Sequence, residues 1–324
     1  MTTLLAYITV VLVWATTPLA IAWSAEAGAP VGSVWLRMLL ATAAGMLLLA
    51  VLGGRLVWTR RAWASYLAAV PGVFGAMSLS YAASRHVPSG LISVIFGLAP
   101  LISGLMMQWL PGNVRLRAGH WAGCLLGLAG LALIFRDALA PSGTALHGVF
   151  MLLGAVTCFC GSGLAVQRVA AGLPPLTQTL GALLCSLPCY GLLWLVSGEP
   201  LWVPLSERGL LAVVYLALFG SLLGFLCYFL ILSRLSAATV ALVTLITPVL
   251  ALTLGVWFND EQPGPGLLAG ATLIVLALFA YLLTDWRGRV VLASRMAARG
   301  NAAMQPSDAE RATQSDHTRD RFGH

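Results

Sequence analysis

The sequence predicts an all-α integral membrane protein: ten transmembrane helices arranged as two inverted five-helix repeats. Three observations carry that expectation. Hydrophobic residues make up 59% of the chain and charged residues 9%, with a mean hydropathy of +0.90. A soluble domain needs more charge than this to cover its surface. Ten apolar runs of about twenty residues follow one another, and each would span roughly 30 Å as a helix, the thickness of a hydrocarbon core. Finally, the landmarks Arg85, Pro100, Trp109 and Gly123 recur as Arg234, Pro248, Trp257 and Gly270, displaced by 148 positions to within one residue.

The runs cover residues 4–22, 32–52, 64–83, 89–110, 118–135, 146–167, 176–197, 209–232, 236–258 and 265–284. The first has the apolar look of a signal peptide, with Ala25-Glu26-Ala27 as a cleavage site. However, Met1-Thr2-Thr3 carries no positive charge and the run is too long for a signal core, so it reads as a retained helix. Runs three and four, and runs eight and nine, are separated by only a few residues and read as tight helical hairpins around Arg85 and Arg234. Run nine holds Pro248 and stops at Asp260-Glu261; beyond run ten, residues 285–324 form a polar tail expected to be disordered.

Arginine sets the orientation, since cytoplasmic loops of membrane proteins collect positive charge. With the N-terminus inside, Arg55, Arg60, Arg61, Arg115, Arg117, Arg168, Arg234 and the seven arginines of the tail are cytoplasmic, against Arg85, Arg136 and Arg208 outside. Both termini are therefore expected in the cytoplasm. Five spans per repeat is an odd number, so repeats over 4–135 and 146–284 must lie inverted. That architecture suits alternating access about a central site. The net charge of +7 is all arginine, placed in loops rather than on a polar face, which argues for membrane orientation and against nucleic acid.

The segment RLSAATVALVTLITPVLALTLGVWFNDE, with its basic residue, small residues, mid-helix proline and terminal acid, resembles the EamA-domain family of the drug/metabolite transporter superfamily. The first half is similar more loosely, through RHVPSG, Ala99-Pro100 and GHWAGCLLGLAG, and lacks the acid after its proline helix, where Trp109-Leu110 runs into Pro111-Gly112. The resemblance implies a secondary transporter in the inner membrane moving small metabolites such as amino acids, with export the expected direction. Efflux of drugs or toxic compounds is the alternative, and a channel or structural membrane subunit is the alternative of another class.

Candidate path residues follow from the cost of unpaired backbone in lipid, where helix breakers persist when buried or lining a cavity. A helical proline frees the carbonyl four residues earlier. Pro18, Pro100 and Pro248 are such breakers, with Thr17, Thr244 and Thr247 as polar neighbours. Trp14, Ser78, Tyr81, Thr157 and Tyr228 add aromatic and hydroxyl groups near mid-span, and Trp14 also resembles a tryptophan of the family's first helix. Arg37 is the one charge inside a span, and an intramembrane charge points to function unless its side chain snorkels to the headgroups. Tyrosine and tryptophan elsewhere read as interface anchors.

Other chemistry is poorly supplied. No span interior holds Asp, Glu or His, so acid–base catalysis has no candidates, and Gly161-Ser162-Gly163 lacks the preceding glycine of an intramembrane serine hydrolase because Cys160 stands there. The six cysteines lie in apolar runs, and Cys158-x-Cys160 has neither metal-ligand spacing nor histidine partners. No enzyme activity, cofactor or metal is expected. The partners expected are a small-molecule substrate and the bilayer. Gly123-x3-Gly127, Gly220-x3-Gly224 and Gly266-x3-Gly270 favour close packing inside the bundle ahead of a homodimer. A path without carboxylates suits neutral, zwitterionic or modestly anionic solutes. Asp260, Glu261 and Glu26 are expected to be solvated carboxylates near the outer span ends, leaving no membrane-buried group for proton coupling and favouring a facilitator or exchanger.

Overall fold

A computed structural model describes residues 2–26, 29–108, 118–138, 144–199, 206–235, 240, 243–277, 279–280 and 283–284. The chain divides into Met1–Tyr281 and Leu282–His324. In the second unit only residues 283 and 284 are described, so the expected polar tail at 285–324 lies outside the described residues. The loop residues Trp109, Pro111, Arg115, Arg117 and Trp202 lie outside them too.

The described part of the first unit is helical, with no strand among the described residues. Its helices are α1 (Thr3–Ala25), α2 (Pro30–Val51), α3 (Arg60–Ala83), α4 (Ser89–Gln108), α5 (Ala118–Ala138), α6 (Thr144–Val169), α7 (Pro175–Ser197), α8 (Glu207–Arg234), α9 (Val243–Asn259) and α10 (Pro265–Ala277). Seven of these, α1 to α4 and α6 to α8, are long and apolar enough to cross a membrane; α5, α9 and α10 contribute shorter apolar stretches. Leu47, Val51, Leu125, Leu128, Leu192, Leu195 and Val196 are exposed on the outer surface of the bundle. So much outward-facing apolar area needs lipid rather than water around it.

The two halves interleave. Helix α1 packs on α8 and α9, α2 on α7 and α8, and α3 on α6 and α7. Glycine allows the closest crossings: a Cβ on Gly130 of α5 would lie 2.7 Å from the Gly270 carbonyl of α10, and one on Gly270 would lie 2.6 Å from the Gly130 carbonyl. Gly127 meets Leu101 of α4, and Gly224 meets Trp14 of α1. These glycines pack within the chain.

Two helices carry wide turns that the apolar pattern does not foretell. In α3, Pro71–Gly75 is π-helical, with the Ala76 N–H reaching Pro71 O five residues back. Pro71 has no N–H to give to the turn before it, and the helix accommodates that loss by widening. In α8, Leu216–Leu223 is π-helical, and the Gly224 N–H reaches Phe219 O. Shifted by 148 positions, residues 71–75 fall on 219–223, inside the wide turn of α8.

Helix starts at one end of the bundle are satisfied by carboxylates from elsewhere. The four leading N–H groups of a helix have no partner within it, and its N-terminus favours negative charge. Glu199 accepts from the amides of Val31 (2.8 Å) and Gly32 (3.2 Å) at the start of α2, and pairs with Arg85 at 3.8 Å. Glu261 accepts from the amides of Ser89 (2.9 Å) and Gly90 (3.2 Å) at the start of α4. Asp260, at φ 49°, turns the chain back at the end of α9 so that Glu261 reaches across. Gly255 leaves room for this, since a Cβ there would sit 2.6 Å from the Glu261 carboxylate. Glu261 is thus held in the structure and is not the freely solvated acid that its place at a span end suggests.

Candidate functional site

A cavity lies in the middle of the bundle, lined by Trp14, Thr17, Pro18 and Ile21 of α1, Arg37 of α2, Met77 and Ser80 of α3, and Ile92, Ser93 and Phe96 of α4. Phe159 of α6, Gly220 and Phe225 of α8 and Thr247 of α9 complete it. Its volume is about 70 Å³, room for on the order of five waters at roughly 10–15 Å³ each. Apolar and aromatic surface dominates, and the polar groups among the described lining residues are four hydroxyls, the Trp14 indole and the Arg37 charge. Thr17 donates to Val13 O (2.7 Å) and Ser80 to Ala76 O (2.7 Å), each on its own helix.

Trp14 and Phe159 form one wall of this cavity and also line a second one, of about 50 Å³, with Ala99, Ser103, Cys160, Gly163, Gln167, Tyr228 and Leu232. The rings meet as a three-way cluster: Trp14–Phe159 centroids lie 5.4 Å apart, Trp14–Tyr228 5.4 Å and Phe159–Tyr228 5.1 Å. Gly163 opposes Tyr228, where a Cβ would lie 2.5 Å from the hydroxyl. Gln167 and Leu232 are shared in turn with a third cavity of about 270 Å³ that also touches Ser65, Gln178 and Ser233. Three cavities therefore lie in series, with aromatic rings between the first two.

Beyond the first cavity, the bundle end that carries the capping glutamates is laced together. Trp23 Nε1 donates to Asn259 Oδ1 (3.0 Å), Arg208 donates to Phe258 O (2.8 Å) and stacks 4.0 Å from the Trp23 ring, and Glu26 stands 4.0 Å from Arg208. Asn259 Nδ2 also donates to Glu261 (3.0 Å). These contacts tie the ends of α1, α8, α9 and α4.

Arg37 does not snorkel: it is 1% exposed. Its Nε donates to Ser221 Oγ (2.8 Å) in the wide turn of α8, and its guanidinium carbon lies 5.8 Å from the centre of the Tyr81 ring. Nη1 is buried without a hydrogen-bond partner.

Of the residues singled out from sequence, Trp14, Thr17, Pro18, Arg37 and Thr247 line the first cavity. Tyr228 lies across the aromatic wall in the second. Tyr81 stands behind Arg37 and accepts from Ser24 Oγ (3.2 Å), while the Ser78 hydroxyl is buried without a partner. Pro100 is buried in α4 and does not border the first cavity; Pro248 is buried against Gly97, where α4 is interrupted by a turn. The side chain of Thr244 lies outside the described residues. Thr157 stands apart: it donates to Leu153 O and borders a lateral groove with Leu105, Met106 and Arg168. Two residues along a helix is a turn of about 200°, so Thr157 points away when Phe159 points in.

Phe159, Ser93, Phe96, Ser80 and Gly220 are lining residues that the sequence reading missed. The spacing of Ile92, Ser93 and Phe96 on one helical face ahead of Pro100 was the available signal. Ser162 is no nucleophile in waiting, because its hydroxyl donates to Ala68 O at 2.9 Å. The six cysteines are free thiols, and no group of metal-ligating side chains occurs among the described residues.

Comparison with known proteins gives these features a setting. The model of the EamA-like transporter family matches the chain twice, over residues 1–136 and 146–283. The uncharacterized inner membrane transporter YedA of Escherichia coli K12 is 28% identical over 260 residues, 77% of this chain and 80% of YedA. The uncharacterized transporter YwfM of Bacillus subtilis is 26% identical over 285 residues, 87% of this chain and 94% of YwfM. A shorter stretch of 99 residues is 31% identical to the aromatic amino acid exporter YddG of Ancylobacter novellus, covering 31% of this chain and 34% of that one. A solved crystal structure shares the fold, with a TM-score of 0.66 at 24% identity over 88% of this chain and 98% of the other. Matched by the family model along both halves, the chain belongs to the EamA-like transporter family and is a multi-pass membrane transporter.

Proposed function

We propose that the protein is a secondary transporter that exports small amino-acid-like metabolites, neutral or zwitterionic, across the inner membrane by alternating access. The observation that carries this reading is the series of cavities divided by Trp14, Phe159 and Tyr228. Separate cavities with rings between them support a carrier, which must never be open end to end, over a channel. The small first cavity favours metabolites over bulky drugs.

In this proposal all ten helices span the bilayer as two inverted five-helix repeats over 4–135 and 146–284, with both termini cytoplasmic. The double family match, the wide turns in α3 and α8, and the arginine bias support it. The laced end is then the outer one, and the conformation is shut to the outside. The partial match to an aromatic amino acid exporter supports amino-acid-like solutes, and the name of YedA supports the inner membrane. Purified protein in liposomes, loaded with a metabolite panel and tested by counterflow, examines this directly. Specific exchange of an amino acid is expected; no exchange of any panel member would refute the transporter's proposed substrate class.

A further inference from the structure

Arg37 presents an unusual electrostatic situation. Guanidinium carries a permanent positive charge, and a charge shut away from bulk water needs compensation. Yet its recorded polar contact is neutral, Nε to Ser221 Oγ, and Nη1 is buried without any partner. The described carboxylates stand at helix ends: Glu199 on the start of α2, Glu261 on the start of α4, Glu26 beside Arg208, with Glu207 and Asp260 at the ends of α8 and α9. None borders the cavity. Gly220, on the wide turn of α8, keeps the guanidinium clear, since a Cβ there would come within 3.1 Å of Nη2.

We infer that the missing counter-charge arrives with the substrate: the central cavity takes a small solute bearing one carboxylate, seated on the free edge of the Arg37 guanidinium. This rests on the transporter reading above and refines its solute class: a carboxylate is required, so zwitterions and monocarboxylates fit and neutral amides do not. Guanidinium binds carboxylate through paired, charge-assisted hydrogen bonds. With one cation and no second among the described lining residues, a monoanionic head is matched and a dianion is not. The remaining wall suits a short apolar or aromatic body, through Phe96, Phe159, Phe225 and Ile92. A zwitterion also fits, with the Ser93 and Thr247 hydroxyls and the Trp14 ring available to an ammonium group. Arg37 thus acts as a selectivity residue, and its bond to Ser221 fixes the fork that reads the carboxylate.

The test uses acid and amide pairs of equal shape: 3-methylbutanoate with its amide, and leucine with leucinamide. Succinate serves as the dianion. Shifts in thermal unfolding of the purified full-length protein report binding, and counterflow in liposomes reports transport. The acids are expected to stabilise the wild type, with each amide and succinate at least about tenfold weaker. Arg37→Gln should abolish the difference and Arg37→Lys should keep part of it. Gly220→Ala, which crowds Nη2 while leaving the charge in place, should weaken the acids selectively and carries the test if Arg37→Gln does not fold. Equal responses to acid and amide, a preference that survives in Arg37→Gln, or no response to either acid would overturn the inference. Counterflow without acid preference leaves a transporter and removes this site. Acid-selective binding without counterflow keeps the site and removes the transporter reading.

Discussion

Replacing Glu261 by glutamine should loosen the junction between the end of α9 and the start of α4. One carboxylate oxygen accepts from the Ser89 amide (2.9 Å), the Ser89 hydroxyl (2.6 Å) and Asn259 Nδ2 (3.0 Å), and the other accepts from the Gly90 amide (3.2 Å). Glutamine keeps one acceptor and turns the other position into a donor facing the Gly90 N–H, so one bond is lost outright. The remaining three lose their charge assistance, falling from the ~1.5–3 kcal/mol typical of bonds to ions toward ~0.5–1.5 kcal/mol. Loss of the negative charge at the α4 N-terminus adds ~0.3–1 kcal/mol. Because bonds on one carboxylate are not additive, the net effect is set at about 2–3 kcal/mol. If that is expressed in the step that opens this end, the closed state loses roughly 30- to 150-fold in population ratio. The assay is labelling of Ser93→Cys, in a cysteine-free background, by a membrane-impermeant maleimide applied from outside, together with thermal unfolding in detergent. Faster labelling and a lower unfolding temperature are expected for Glu261→Gln. Unchanged labelling and unchanged unfolding would refute the claim that this carboxylate holds the end shut.

Three further outcomes are expected. Single cysteines placed as His86→Cys and Leu235→Cys in a cysteine-free variant should label from opposite sides of the membrane, and labelling of both from one side would sink the inverted arrangement. Trp14→Ala and Thr247→Ala should each lower transport at least about tenfold while the protein still reaches the membrane in normal amount; unchanged kinetics for both would remove them from the path. Since no Asp, Glu or His occurs among the described residues that line the first cavity, substrate should follow its own gradient in liposomes held at zero membrane potential. Net accumulation driven by a pH gradient alone, with substrate initially equal on both sides, would show proton coupling.

What the sequence determined by itself was the solvent of the chain, together with a recurrence of landmarks on which the repeat is proposed. Hydropathy is a property of each segment, so apolar runs mark the helices directly, and the displacement of 148 between Arg85–Pro100–Trp109 and Arg234–Pro248–Trp257 needs no coordinates to be seen. Arg37 also stood out, because charge inside an apolar run is visible in one dimension. Its meaning was not, since its burial depends on packing against Ser221, 184 residues away, and its lack of a counter-charge on where the described carboxylates end up. Glu261 looked like a solvated acid until a turn at Asp260 placed it on the start of α4, 172 residues away in sequence. The wide turns of α3 and α8 had no hydropathy signature, because an extra residue in a turn changes the facing of side chains and not their polarity. Facing separates Phe159 in the cavity from Thr157 in the lateral groove, and facing is settled only when helices from both halves pack together.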